Sequence, residues 1–392
     1  MAGIYIHVPF CKRRCRYCDF YSTTMEELRA PYVLAVCDEL VQRKAFLNKE
    51  PVETLYFGGG TPSRLQPAFF EEIFSTVKDT FGIEKIRELT IEANPDDISE
   101  KLVQEIQEAW KRQSSNACPI RFSMGIQTFD DNLLTLIGRR HTALQAKQAV
   151  ETLRKVGISE VSIDLMYGLP DETEEIWESD LEQALALEVP HISAYHLSYE
   201  KGTPLWRMLQ QGNIKEVEEE KSILFFQMLR KKLLTNGYEH YEISNFALPG
   251  HQAIHNSHYW SNVPYLGIGP GAHSFDGTKR EWNEGDLRKY ISIKDFVTYD
   301  NSSFHHIEVS SPSERYDEYV MTHLRTAKGV SLHETEHLFG NTRKDYLLKM
   351  AQPHIADNRL TLTDDGRLVL TEKGILVSDG IIVDLFADEK LF

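Results

Sequence analysis

Gly3-Ile4-Tyr5-Ile6-His7-Val8-Pro9-Phe10-Cys11-Lys12-Arg13-Arg14-Cys15-Arg16-Tyr17-Cys18 reads as a β-strand running straight into a loop with three cysteines. Branched and aromatic residues suit a pleated strand, and Pro9 marks its end because proline donates no ladder hydrogen bond. Cys37 and Cys118 bring the cysteines to five in 392 residues. An odd number in a chain of this size, with no export signal, argues against a disulfide framework. Cys37 falls in an apolar helical pattern with Tyr32, Val33, Val36 and Leu40, where a small buried hydrophobe is expected. Cys118, before Pro119, has no site-like neighbours. Three clustered thiolates suit zinc or an iron–sulfur cluster. Zinc wants a fourth ligand, and only His7, in a strand, is near. A cubane held by three cysteines leaves one iron open to a small molecule.

Five further strand-like runs follow, over 53–60, 88–95, 120–127, 161–170 and 191–200, with amphipathic stretches near 26–47, 66–80, 99–112, 130–156 and 173–187. Alternating strands and helices predict parallel strands with right-handed crossovers, here an incomplete (β/α)6 barrel. In such barrels the chemistry sits at the carboxyl ends of the strands. The unusual residues fall there: the cysteine loop after the first strand, Gly58-Gly59-Gly60-Thr61-Pro62 after the second, Glu92 and Gln127 near the ends of the third and fourth, and Asp164 in the fifth before Tyr167-Gly168-Leu169-Pro170. No G-x-G-x-x-G follows a strand, so a dinucleotide fold has no support.

Residues 216–236 read as a charged helix, and 238–300, rich in Gly, His, Asn and aromatics, as loop-dominated. A new unit starts at about 312. Helices are expected over 312–327, 332–340 and 343–351, then strands over 359–362 and 367–371 around the Asp364-Asp365-Gly366 turn, then a last helix over 373–386. The expected organisation is a barrel with a trailing loop-rich segment over 1–300 and a small winged-helix-like α+β domain over 312–392.

The formal charge is −16, which repels phosphate backbones and makes nucleic acid a poor partner. No run approaches the ~20 apolar residues that span a bilayer, and no basic-then-apolar leader opens the chain. A cytoplasmic protein is expected.

The Cys11-x3-Cys15-x2-Cys18 spacing after a first strand is the mark of the radical S-adenosylmethionine (SAM) superfamily. With Tyr5-Ile6-His7-Val8-Pro9-Phe10-Cys11, Gly58-Gly59-Gly60-Thr61-Pro62, Ser123-Met124-Gly125-Ile126-Gln127 and Asp164-Leu165-Met166-Tyr167-Gly168-Leu169-Pro170, the whole chain resembles the oxygen-independent coproporphyrinogen III oxidase family. Within it, the sequence is more similar to the HemW branch of heme chaperones than to the oxidases. Cys18 is followed by Asp19-Phe20 where the oxidases continue Cys-x-Cys. The first strand starts at residue 3, where the oxidases carry an extension. His255-Asn256-Ser257-His258-Tyr259-Trp260 matches the HNxxYW motif of the branch.

The resemblance implies a [4Fe–4S] cluster on Cys11, Cys15 and Cys18. It implies SAM contacts from Tyr5, Tyr17, Gly59, Gly60, Thr61, Glu92, Gln127, Arg139 and Asp164. Each has a plainer reading. Tyr5 can be an inward strand residue. The glycines can make a turn, or can clear space for the methionine end of SAM. Arg139 can clamp a carboxylate in a fork, or be a surface arginine, and Arg140 competes for the role. Asp164 inside an apolar strand needs a partner. Reductive SAM cleavage to methionine and a 5′-deoxyadenosyl radical is the chemistry implied for the superfamily. For the branch, heme binding and transfer to an acceptor hemoprotein is implied, with His255 as the candidate heme contact and Tyr259 and Trp260 placed to flank the flat macrocycle. The plain alternative is a hydrogen-bonded structural histidine. His251, His258 and His273 are competitors, and His305-His306 reads as an exposed pair. An electron donor for the cluster, a homodimer and peripheral membrane contact are compatible partners. The alternative activities are oxidative decarboxylation of coproporphyrinogen III and radical chemistry on another substrate.

Overall fold

The computed structural model describes residues 1–113, 118–299 and 303–387. Position 300 and the stretch 388–392, counted above with the barrel and the C-terminal unit, lie outside the described residues. Six strands open the chain: β1 (Ala2–Val8), β2 (Val52–Gly59), β3 (Glu88–Ala93), β4 (Ile120–Gln127), β5 (Val161–Tyr167) and β6 (His191–His196). They pair parallel in sequence order. Between them lie α1 (Arg29–Gln42), α2 (Pro67–Phe81), α3 (Glu100–Gln113), α4 (Asp131–Ile137) with α5 (Ala143–Lys155), and α6 (Glu174–Ala186). In α2, Phe70, Ile73, Phe74 and Val77 are buried. That i, i+3, i+4, i+7 stripe faces the sheet, and each side chain is worth about 1.5–3 kcal/mol of burial.

The continuous pattern expected over 130–156 breaks in two. Gly138, at φ 81, ends α4, and a capping box between Thr142 and Gln145 starts α5. The break leaves Arg139 and Arg140 on a short connector rather than on a helix face.

After α7 (Pro204–Gln210) and α8 (Glu219–Thr235), the segment expected to be loop-dominated is structured. It holds β7 (Glu239–Glu242), β8 (Asn245–Ala247), α9 (Ile254–Trp260), β9 (Tyr265–Ile268), β10 (His273–Phe275), β11 (Lys279–Asn283) and α10 (Leu287–Ser292), and β12 (His305–Val309) follows. These strands extend both edges of the barrel into one sheet of order β12-β11-β10-β9-β1-β2-β3-β4-β5-β6-β8-β7. Strands of three to five residues carry too few alternations to show a period of two; β8 and β9 pair with the barrel edges β6 and β1, and β7 and β10 to β12 build outward from them.

A buried carboxylate ties this extension to the barrel. Glu39 of α1, 0% exposed, accepts from Gly269 N, Asn283 Nδ2, Tyr290 OH, Tyr299 OH and Arg43 Nη1 at 2.8–3.3 Å. His305, expected to be exposed, is enclosed: its ring stacks on Tyr299 at 3.9 Å and bonds Asn283 at 2.9 Å. His306 is partly exposed and stacks on Trp282.

The C-terminal unit is winged-helix-like. It comprises α11 (Pro312–Leu324), β13 (Val330–Ser331), α12 (Leu332–Phe339), α13 (Asn341–Ala356), β14 (Leu360–Leu362), β15 (Arg367–Leu370), α14 (Glu372–Ile375) and α15 (Ser378–Asp384). Its antiparallel sheet has the order β13-β15-β14. The single last helix expected over 373–386 is two short ones. A separate apolar cluster forms around Tyr316, Val320, Leu347 and Leu368.

Candidate functional site

A cavity of about 450 Å³ opens at the carboxyl ends of the strands. Its walls include Cys11, Cys15 and Cys18, and also Tyr17, Gly59, Gly60, Thr61, Glu92, Gln127, Arg139 and Asp164. Residues from five strands and their loops therefore meet in one place. Tyr5 and His255 are not among its walls.

The cysteine loop is pinned at several points. Cys11 N donates to Thr23 O and Thr23 N to Pro9 O, at 2.9 and 2.7 Å, closing the loop at its base. Arg16 N donates to Ile137 O, Arg16 Nη1 to Leu136 O, and Arg13 Nη2 to Gly138 O. Two arginines thus cover the carbonyl end of α4, where cations are favoured. All three thiols are partly exposed. Burial raises Cys11, and raises Cys18 to about 11, so metal binding would have to displace protons. The three thiols share one wall of a cavity but are not drawn together as a closed metal site would be, and among the described residues no three His, Cys, Asp or Glu side chains are; a larger cubane with an open corner suits that spread better than a tetrahedral zinc ion.

The glycine turn answers first to the protein's own atoms. A Cβ at Gly60 would meet Val8 O and Pro9 C at 2.8 Å. Gly59, at φ +101, lies over the His7 ring. Close packing on β1 and a left-handed backbone both demand glycine here. Gly59 N then donates to Glu92 Oε2 at 3.0 Å, and Tyr56 OH donates to Glu92 Oε1 at 2.8 Å. Burial, opposed by these bonds and reinforced by Asp164, raises Glu92 to about 7. Asp164 has the partner its position requires: Ser123 Oγ donates at 3.3 Å. Burial raises it to about 6, with the hydroxyls of Ser193 and Ser123 opposing.

Gln127 occupies φ 73, uncommon for a non-glycine residue. The strain sits where β4 gives way to the site, and Asp180 holds the following turn through Phe129 N at 2.8 Å.

Arg139 and Arg140 separate clearly. Arg140 pairs with Asp96 and Asp97 at 2.8 and 3.1 Å. Arg139 lines the cavity, donating to Asn94 Oδ1 at 2.7 Å and to Gly125 O, with Nη1 3.5 Å from Cys15 Sγ. Its Nε is buried without a hydrogen-bond partner among the described residues, so a donor remains for an anionic group. Two partly buried carboxylates with raised pKa and one guanidinium with a free donor form a chamber suited to a zwitterion carrying extra positive charge. SAM, with its sulfonium, ammonium and carboxylate, has that character.

Tyr5 lies deeper, inside the barrel, with its hydroxyl 3.1 Å from His7 Nδ1. His255 is 1% exposed. Its Nδ1 is 2.8 Å from Thr54 Oγ1 and its Nε2 2.9 Å from Tyr259 OH. As arranged here it presents no free nitrogen to a macrocycle. Among the competitors, His251 pairs with Glu160 at 3.0 Å, His258 faces Glu53 at 3.9 Å, and His273 stacks on Trp282.

Tyr56, Asn94, Ser123 and Ser193 were not singled out by the sequence. Strand parity carried a signal for two of them: Tyr56 lies two residues before Gly58, and Ser123 two before Gly125, on the same face of their strands. Asn94, just before Pro95, carried no such signal.

The radical SAM superfamily model matches residues 5–184, and the HemN C-terminal domain model matches 310–377. The chain is 32% identical to the heme chaperone HemW of Lactococcus lactis subsp. lactis, over 99% of this chain and 98% of that one. It is 35% identical to heme chaperone HemW of Synechocystis sp., over 98% and 96%. It is 30% identical to heme chaperone HemW of Bacillus subtilis, over 97% and 98%. Among solved structures, coproporphyrinogen III oxidase (HemN) from Escherichia coli superimposes with a TM-score of 0.80, covering 98% of this chain and 90% of that one. At 21% identity that likeness establishes the fold alone.

Proposed function

Because the chain belongs to the HemW family, we propose that it is a heme chaperone, binding heme and passing it to an acceptor hemoprotein. The observation that carries this reading is the 30–35% identity to heme chaperones HemW along almost the whole of each chain, against 21% to the oxidase HemN.

Cys11, Cys15 and Cys18 would hold a [4Fe–4S] cluster. Tyr17, Gly59, Gly60, Thr61, Glu92, Gln127, Arg139 and Asp164 would hold SAM beside it. Tyr5 would act from beneath, through His7 and the strand it shares with the cysteine loop. When bound, the cluster would pass one electron from a separate donor to SAM, cleaving it to methionine and a 5′-deoxyadenosyl radical. The chain's own residues orient the ligand: Arg139 by its remaining donor, Glu92 and Asp164 by offsetting positive charge. Among the described residues no helix is long and apolar enough to cross a membrane.

Heme ligation by His255 carries a structural condition. The ring must leave Thr54 and Tyr259, so α9 must withdraw from the barrel for the iron to reach it.

The deciding experiment is an anaerobic titration of the reconstituted protein with hemin, followed by mixing with an apo-hemoprotein. Saturable binding with a shifted Soret band, and heme transfer, are expected. No saturable binding overturns the chaperone reading. Protoporphyrinogen formed from coproporphyrinogen III, SAM and reductant would replace it with the oxidase activity.

A further inference from the structure

The segment His255-Asn256-Ser257-His258-Tyr259-Trp260 lies at the end of the barrel opposite the cysteine loop. The first N–H groups of α9, on Ile254 and His255, donate to the Glu88 carboxylate at the start of β3, at 2.8 and 2.9 Å. This aims the His255 ring into the barrel, where Thr54 and Tyr259 hold its two nitrogens. Room is made for it: a Cβ at Gly3 would lie 2.8 Å from Thr54 Oγ1 and 3.1 Å from the His255 ring. The imidazole stacks on Tyr56 at 4.9 Å and 28°, and on Tyr5 at 6.5 Å. Burial lowers its pKa to about 3, so the stacked ring is neutral.

Tyr56 stands two residues beyond Thr54, on the same face of β2. Its ring rests on His255, and its hydroxyl reaches Glu92. Glu92 in turn holds Gly59 N. An unbroken column of contacts therefore joins the floor of the barrel to the glycine turn of the cavity. We infer that His255 is a positioning residue: by fixing the Tyr56 ring it sets the Glu92 carboxylate, and through it the turn that faces SAM. The inference rests on the reading of Glu92 as a SAM contact.

The test measures SAM binding calorimetrically on the anaerobically reconstituted protein. The variants are His255→Ala, Tyr56→Phe, Glu92→Gln and the double His255→Ala/Glu92→Gln. The control is His191→Ala, whose ring is as buried and is held by Ser162 and Tyr241 at 2.7 Å each. Melting temperatures are recorded for all. The SAM dissociation constant should rise about fivefold to tenfold in His255→Ala and Tyr56→Phe. In the Glu92→Gln background, removing His255 should change it by less than about twofold, because coupled residues are not additive. His191→Ala should lower the melting temperature and leave SAM affinity unchanged.

Unchanged affinity in His255→Ala, an equal loss in both backgrounds, or an equal loss in His191→Ala overturns the inference. Unchanged affinity in Glu92→Gln overturns the underlying reading of Glu92 instead. Should His255→Ala fail to fold, His255→Gln, which keeps a hydrogen-bonding side chain but removes the ring stacked on Tyr56, decides by the same comparison with and without Glu92→Gln.

Discussion

Arg139 donates a 2.7 Å hydrogen bond to Asn94 Oδ1, joining the connector after α4 to the end of β3 across the cavity. Asn94 also donates to Thr61 Oγ1 at 3.3 Å, which lies 3.4 Å from Cys11 Sγ. The guanidinium, the glycine turn and the first cysteine are thus fixed relative to one another. Arg139→Lys keeps the charge and loses the fork. The SAM dissociation constant should rise about tenfold, close to 1.4 kcal/mol. Asn94→Ala should give a smaller loss, and Arg140→Lys none, because Arg140 is occupied by Asp96 and Asp97. Equal effects at Arg139 and Arg140 would remove Arg139 from the site.

The cysteines divide three and two. Alanine at Cys11, Cys15 or Cys18 should abolish iron and sulfide uptake on anaerobic reconstitution. Cys37→Ala and Cys118→Ala should retain it, since both side chains pack against the apolar core. Metal analysis and visible absorption of the five variants check this. A cluster surviving the loss of Cys15 would refute the ligand set.

SAM affinity should depend on pH through Glu92, raised to about 7, and Asp164, raised to about 6, each chiefly by burial. Their ionised forms attract a sulfonium and an ammonium; their protonated forms do not. Affinity should therefore weaken as pH falls from about 8 to about 5, and binding near neutral pH should release protons. Tyr56→Phe removes a bond that favours the ionised Glu92, so it should move the midpoint upward. Titrations in buffers of differing ionisation enthalpy measure the proton count. A flat profile would show that these carboxylates do not face the ligand.

Folding stability should show its own pH dependence at Glu172 and Asp180. Burial raises them to about 8 and about 7, and Glu172 Oε1 and Asp180 Oδ2 have no hydrogen-bond partner among the described residues. The folded state then keeps protons that the unfolded state releases, so stability falls as pH rises from the ordinary carboxylate range to about 8. Glu172→Gln can still accept from Gly168 N and Leu169 N. It should reduce the loss of melting temperature between about pH 5 and pH 8. An unchanged slope would mean that Glu172 is already ionised in the fold.

Glu39→Ala should destabilise by about 3–5 kcal/mol, because Gly269 N, Asn283 Nδ2, Tyr290 OH and Tyr299 OH lose a buried acceptor at about 1–3 kcal/mol for each donor left unsatisfied, while Arg43 keeps Glu281 at 2.6 Å. Urea denaturation measures it. A loss below about 1 kcal/mol would show that β9–β11 and α10 hold to the barrel without this carboxylate.

The sequence by itself determined the six βα units, the three-thiol loop and the strand ends at which polar residues gather. Alternation of period two against a helical period, proline stops and glycine turns are local signals, written within a few residues of what they specify. It also carried the small C-terminal unit, through helical patterns and the Asp364-Asp365-Gly366 turn. Tertiary structure decided the rest. Strands β7 to β12 form because the barrel offers open edges to β8 and β9, and no window of sequence contains both halves of those two edge pairings; on the β9 side Glu39 gathers donors from Gly269, Asn283, Tyr290 and Tyr299. Tertiary structure also turned Arg139 inward while Asp96 and Asp97 took Arg140. It placed His255 under Tyr56 rather than beside the cysteines. Two neighbouring arginines are equivalent in sequence, and a histidine 201 residues from its Thr54 partner has no local sign of it; only the packed chain gives each side chain its neighbours, and with them its charge, exposure and work.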